Sequence, residues 1–465
     1  MQEKVPDFQR ALILQGGGSL GAYEAGAYKA FYAMVTKKDN ERGFKGKPLV
    51  DIVAGTSIGA INSAVLVSYV IENNTWEGSA ERLNEFWEYL SKESSLDRIP
   101  GFTYWWDLFH NSVNHEIATG EAARRYYATK EFSILGVPTV FSPIMPQLDT
   151  KFFDPQNIWY RFDSGPLKRS LERFVKFPIA TTFDEKVSLT QPRLILVSVD
   201  VAEGATVVFD SYEKEDGTRK SEYGKYIVQD RKEVGFAHTI RYNDGITADQ
   251  VIASASVPLN FDYTPLEVES YNYTTFSYEK NIRYFWDDGI MSNTPLTQVV
   301  WRHQDYWLKT KGFKDTVPRL NIIIINVHPA KQDRIPWNRD DVINRRDDIT
   351  FSDRTEREEQ ALLLVSDYVD LARKLIKIAK DHGAKDDIIN NLLNSNTINH
   401  GLAIRPRKYY DILIGQYEIG KVIRVNRKGD QYAVSNKIFD FSSKTINQLR
   451  ESGYNNTLDL TDVEY

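Results

Sequence analysis

The 465-residue sequence contains no cysteine. That excludes disulfides, thiolate nucleophiles and cysteine-ligated zinc or iron–sulfur centres, without fixing a redox compartment. Long apolar runs are missing as well. The strongest, Ala64 to Ile71 and Leu320 to Val327, fall far short of the roughly 20 residues that cross a bilayer, so no membrane span is expected. Nor is there an excess of either charge: 58 Lys plus Arg stand against 64 Asp plus Glu, a formal net charge of −6. A whole-protein basic footprint for nucleic acid is thereby excluded. Residues Met1 to Arg10 carry two acids and Pro6 ahead of a short apolar stretch, which lacks the pattern of a secretory signal. The expected location is cytoplasmic, with peripheral attachment to a membrane compatible with it. What is present, 42% hydrophobic, 12% aromatic and 26% charged residues, is the composition of a globular chain with a sizeable core.

Ala11 to Leu14 is a short apolar run that stops at Gln15-Gly16-Gly17-Gly18, and Ala22 to Val35 follows at helical spacing. Leu49 to Ala54, Gly55 and the alanine-rich Ile58 to Val70 repeat the plan of strand, turn and helix. Two such units in succession predict an α/β fold, a mainly parallel central sheet flanked by helices in three layers. Further strands of the same sheet are expected at Leu194 to Val199, Tyr284 to Trp286 and Leu320 to Val327. An inserted, proline-punctuated cap is expected over about 76–191. Within that cap, Phe102 to Trp106 reads first as packed aromatics and second as a lipid-touching patch. Residues 302–465 read as a C-terminal extension holding the last core strand, an amphipathic helix and a small strand and helix region. That amphipathic helix carries Leu364, Tyr368, Leu371, Leu375 and Ile378 at alternating steps of four and three. Packing on its own domain is the first expectation for it, a dimer seam the second. Tyr212 to Lys232 resembles an exposed hairpin, Tyr409 to Asn426 paired strands, and Ser442 to Gly453 a terminal helix capped by Ser442 or Ser443.

Two turns carry chemistry. Gly55-Thr56-Ser57-Ile58-Gly59 is a G-x-S-x-G sequence with a strand before it and a helix after it, the setting of a nucleophile elbow. The plain structural alternative is a helix-capping Ser57. Gly16-Gly17-Gly18-Ser19-Leu20-Gly21 fits a dinucleotide turn and equally a glycine-rich oxyanion loop. A dinucleotide needs an acid at the end of the second strand, whereas that strand runs straight into the elbow and leaves Asp39 and Glu41 in the polar stretch before it. An oxyanion loop fits better, its amides facing a carbonyl held over Ser57. No histidine among the seven (His110, His115, His238, His303, His328, His382, His400) has a recognisable catalytic setting, although His328 follows the isoleucine strand. The stronger partners for Ser57 are Asp287 and Asp288, adjacent acids that end an apolar run.

Together, Gly16 to Gly21 with Ala22-Tyr23-Glu24-Ala25-Gly26, the elbow Gly55 to Gly59, Ala253-Ser254-Ala255-Ser256-Val257-Pro258 and the Asp-containing turn resemble the patatin-like phospholipases. The resemblance covers roughly Phe8 to Trp301. It implies a serine acyl hydrolase with a Ser–Asp dyad, Ser57 as nucleophile and Gly16, Gly17 and Gly18 lining the oxyanion hole. The family places an Asn six and a Pro eight residues after its aspartate, and Asn293 and Pro295 count back to Asp287, which is expected to be the base. Two positions depart from the family pattern: Asp288 stands where a glycine is usual, and Leu20 where Arg or Lys is frequent. The implied substrate is a lipid or other acyl ester, met transiently at a membrane surface, with no cofactor, no metal and no nucleic acid; the oligomeric state is not set. A dinucleotide-binding oxidoreductase, a non-catalytic module of the same fold and an acyltransferase are the alternatives.

Overall fold

The computed structural model describes residues 6–43, 48–110, 119–144, 160–183, 191–224, 226–229, 232–313, 317–397, 408–413 and 417–460. Three stretches of the expected cap (111–118, 145–159 and 184–190), together with His115 and His400, lie outside the described residues. In chain order the N-terminal half runs β1 (Phe8–Leu14), α1 (Gly21–Glu41), β2 (Ile52–Gly55), α2 (Ile58–Asn73), α3 (Ser79–Leu90), α4 (Phe102–His110), α5 (Gly120–Leu135), β3 (Ser142–Pro143), β4 (Phe162–Asp163), α6 (Gly165–Phe174), β5 (Arg193–Asp200) and β6 (Ala205–Asp210). There follow β7 (Lys220–Tyr223), β8 (Tyr226–Gln229), β9 (Lys232–Arg241), α7 (Ala248–Ala255), β10 (Thr264–Asn272), β11 (Ser277–Asp287) and α8 (Leu296–Asp305). The chain ends with β12 (Arg319–Asn326), α9 (Arg339–Phe351), α10 (Thr355–Asp381), α11 (Asp386–Asn394), α12 (Tyr409–Leu413), β13 (Ile419–Asn426) and α13 (Ser443–Leu458).

A mixed 11-stranded sheet organises these elements in the order β13-β12-β1-β2-β5-β11-β10-β9-β7, with β6 on β5 and β8 on β9. The half from β13 to β5 is parallel, and from β11 onward the pairing is antiparallel. In the parallel half the strands are apolar on both faces, as burial on both sides requires. Leu12 and Leu14 point into a large cluster with α1, α2, α3, α7 and α13, while their neighbours Ala11 and Ile13 point into a second cluster with α8 and Leu362 of α10. The alternation follows from successive strand side chains facing opposite ways. Three layers, helix, sheet and helix, result.

The C-terminal third is woven into this architecture. β12 lies directly beside β1, its isoleucines in register with Ala11 to Leu14. Helix α13 lies against α1 at backbone contact distance: a Cβ on Gly26 would stand 1.8 Å from the Arg450 carbonyl oxygen, and one on Gly453 2.0 Å from that of Tyr23. Only glycine permits this approach at either position. Ser442 is the N-cap residue of α13, but its hydroxyl is given to Asp440.

Three expectations are corrected. Tyr409 to Asn426 forms not paired strands but the short helix α12 and the single strand β13, which finds its partner in β12. The aromatics of α4 are only partly packed: Trp106 lies against Phe102 and Tyr127, whereas Tyr104 and Trp105 are 64% and 51% exposed. The stripe on α10 does not pack on its own domain, because the buried face of that helix is Leu362, Ser366 and Val369, and the stripe lies outside it.

Candidate active site

Ser57 occupies the bend between β2 and α2 with φ 57° and ψ −126°, a region that non-glycine residues rarely enter. The bend is tight enough that a Cβ on Gly55 would stand 2.2 Å from the Gly59 carbonyl carbon, and one on Gly59 2.2 Å from the Leu14 oxygen. Both glycines of the motif are therefore steric requirements. Although Ser57 is at the N-cap position, its side chain makes no capping bond. It lines the same cavity as the Asp287 carboxyl, close enough to hold that group's pKa down.

Sheet register explains the meeting. Gly55 is level with Leu196 of β5, and Asp287, at the end of the antiparallel β11, is level with Ser198. Two residues beyond Gly55, Ser57 thus stands on one side of the Ser198 level and Asp287 on the other. The end of α7 holds both. The Ser57 N–H donates to the Ser254 carbonyl at 3.1 Å and the Asp287 N–H to the Ser256 carbonyl at 3.0 Å. This is the role of the Ala253 to Pro258 segment, with Val257 and Pro258 continuing as cavity wall.

Asp287 is buried, and desolvation pushes its carboxyl up to about 6, against the lowering effect of the nearby Ser57 hydroxyl and of the hydrogen bond from the Gly289 N–H. Asp288 is turned elsewhere: its Oδ1 accepts from Thr206 at 2.9 Å, and among the described residues its Oδ2 has no partner. Burial, reinforced by the Asp287 charge, holds Asp288 well above the usual carboxylate range despite the Thr206 bond.

The glycine loop faces the serine. A Cβ on Gly16 would stand 2.9 Å from that of Ser57. The Gly16 N–H goes to the Asn293 carbonyl at 3.4 Å, whereas among the described residues the N–H groups of Gly17 and Gly18 have no acceptor. Asn293 fixes the loop from the other side, its amide donating to the carbonyls of Gly16 at 3.0 Å and Phe351 at 2.9 Å. Asp39 is not available for a ribose, since both its oxygens bond Arg10.

Serine, aspartate and glycine loop line one cavity of about 100 Å³. Its remaining wall comes from late in the chain: Asn344, Asp347 and Phe351 on α9, and the turn Asn436 to Ile438. Sequence reasoning did not find these residues, because a charged helix and a short turn carry no periodic or motif signal. His328 lines the same cavity and bonds Asp348 at 3.3 Å; Lys437 bonds the same carboxylate. Burial lowers the His328 pKa, so the ring is neutral near pH 7, and burial brings Lys437 down to about 8. Among the described residues no cluster of three or more His, Asp or Glu side chains is arranged to hold a metal.

The arrangement resembles known proteins in one family. The model of the patatin-like phospholipase family matches residues 12–300, more than half of the chain. Among solved structures, the crystal structure of VipD from Legionella pneumophila aligns over 98% of this chain and 67% of its own, at 12% identity and a TM-score of 0.31. No curated protein sequence matches.

Proposed function

Because the chain belongs to the patatin-like phospholipase family, we propose that it hydrolyses lipid acyl esters through an acyl-enzyme on Ser57. The observation that carries the reading is that Ser57 and a buried Asp287 line one cavity together with Gly17 and Gly18, whose N–H groups have no acceptor among the described residues. Asp287 accepts the hydroxyl proton as Ser57 Oγ attacks the acyl carbonyl. The carbonyl oxygen, now an oxyanion, is received by the Gly17 and Gly18 amides, and the positive end of helix α2 lies beneath the attacking atom. The proton then passes to the leaving alcohol. Water repeats the sequence on the acyl-enzyme and regenerates the serine.

A carboxylate is a weak base for an alcohol. Burial answers part of that difficulty by raising Asp287 towards neutrality, where a general base works best. Asp288 beside it is turned away to Thr206, and burial disfavours a second negative charge there. A cavity of about 100 Å³ holds the ester carbonyl and its nearest carbons, so the rest of an acyl chain lies beyond the walls made by α9 and the Asn436 to Ile438 turn.

The test is covalent labelling of the folded protein with a fluorophosphonate and peptide mapping of the adduct, followed by a panel of esters and phospholipids with and without an alcohol acceptor. Label on Ser57 with release of free acid is the expected result. No label on folded protein would make the chain a non-catalytic module, and product appearing only on the alcohol acceptor would make it a transferase.

A further inference from the structure

Helix α10 turns two unlike faces outward and inward. Inward, Leu362 joins the cluster beneath the sheet and the Ser366 hydroxyl bonds the Tyr417 carbonyl at 2.7 Å. Outward, Leu364, Tyr368, Leu371, Leu375 and Ile378 are each between 52% and 65% exposed. Steps of four, three, four and three average 3.5 residues, the period at which one helix reads another. Apolar side chains gathered in a continuous surface stripe mark a contact rather than chance exposure.

The charges on α10 say what the contact is. Glu358, Glu359 and Arg373 are taken up by Thr297, Arg424 and the Leu413 carbonyl of the same chain; of the remaining charges, Glu356, Asp367 and Asp370 with Arg357 lie before Leu371, and Lys374, Lys377 and Lys380 with Asp381 lie after it. One half is acidic and the other basic. A second copy laid antiparallel sets each half against its opposite and supplies the matching stripe, a closed two-fold arrangement. The residues flanking the stripe agree. On one side stand Asp367 and Lys374, and on the other Val365, Ala372 and Ala379. Lys374 bonds Asp370 one turn back on its own helix at 2.6 Å, and antiparallel pairing brings Asp367 of each copy to this pair on the other, with the small residues meeting each other; parallel pairing would set the charges against Val365 and the alanines. An anionic membrane fits poorly, for the acidic half would be repelled by it.

We infer that this protein forms a symmetric homodimer by antiparallel pairing of α10 through Leu364, Tyr368, Leu371, Leu375 and Ile378. The interface is separate from Ser57 and stands or falls independently of the catalytic reading.

Sedimentation of the full chain over a range of concentrations is the test. A dimer is expected, and Leu371→Glu, a position exposed in the single chain, raises its Kd at least about tenfold while the circular dichroism of the folded chain stays unchanged. Orientation is read by disulfide trapping, unambiguous in a chain without native cysteine. Leu364→Cys mixed with Leu375→Cys gives a cross-linked pair, and neither variant alone does. A monomer at every concentration, a dimer indifferent to Leu371→Glu, efficient self-linking of Leu364→Cys, or vesicle binding lost in Leu371→Glu would each overturn the proposal.

Discussion

Asp287 and Asp288 are neighbours in the chain and face different ways: the first lines the cavity with Ser57, the second accepts the hydroxyl of Thr206. The division follows from the end of β11, where Asp287 is the last strand residue and Asp288 the first of a tight turn. It separates the two carboxyls by task.

Replacement of each residue should therefore have unequal effects. Ser57→Ala is expected to lower ester cleavage at least about 10³-fold with the fold intact, and Asp287→Asn to lower kcat by about 10²–10⁴-fold. Asp288→Asn changes a side chain of similar shape that bonds Thr206 and does not line the cavity, and should keep activity within about tenfold. Equal losses at both aspartates, measured with one soluble ester, would refute the assignment of the base.

The raised pKa of Asp287 sets a pH profile. With the carboxylate as base, kcat/KM rises with pH to a plateau, and the inflection is expected near 6 rather than near the 3.8 of an ordinary aspartate. A profile flat from pH 4 to 8 would argue against this group as base.

The same shift predicts a stability effect of the opposite sense. Below pH 3.8 Asp287 is protonated in both the folded and the unfolded chain, and its favourable contribution is complete. As pH rises through 6, the folded state must hold a buried charge and that contribution, about 3 kcal/mol, is lost. Asp287→Asn carries no such charge, so its gain in melting temperature over wild type should be larger at pH 8 than at pH 4. Equal differences at both values would contradict the burial argument.

Asn293 tests the support of the glycine loop. Asn293→Ala removes both bonds that tie Gly16 to Phe351, worth about 1–3 kcal/mol together. A fall in kcat of about 10–100-fold with little change in KM is expected if they align the loop amides. A change confined to KM would assign Asn293 to substrate binding.

Gly453→Ala probes the contact of α13 with α1. The added methyl has no room beside the Tyr23 carbonyl, and a loss of about 1–3 kcal/mol is expected in denaturant unfolding. The exposed control Gly383→Ala, at a position with open space, should not reproduce it through packing, although its positive φ adds local strain.

Much of the site was readable before the fold. A motif with a steric cause, such as Gly55 to Gly59, announces itself because no other residues fit the bend. The Asn293 and Pro295 spacing singled out Asp287, and its geometry beside Ser57 accords with that. The division of labour in the glycine loop was not readable, since the use of the Gly16 N–H depends on Asn293, far away in sequence. Nor was the exposure of the α10 stripe: periodicity tells which residues share a face, not whether anything covers it. The same limit applies to Tyr409 to Asn426, where apolar alternation suited a hairpin but the free edge of β12 took only one strand.

The cavity is assembled from both ends of the polypeptide. Ser57 leaves the ribosome early, yet Asp287, the wall on α9, the turn at Ile438 and the helix braced on Gly26 are all synthesised much later. A nascent chain that has reached only Ser57 still lacks Asp287, the outer wall and the brace. The cavity therefore cannot close during synthesis of the N-terminal half, and its completion waits on the last elements of the fold.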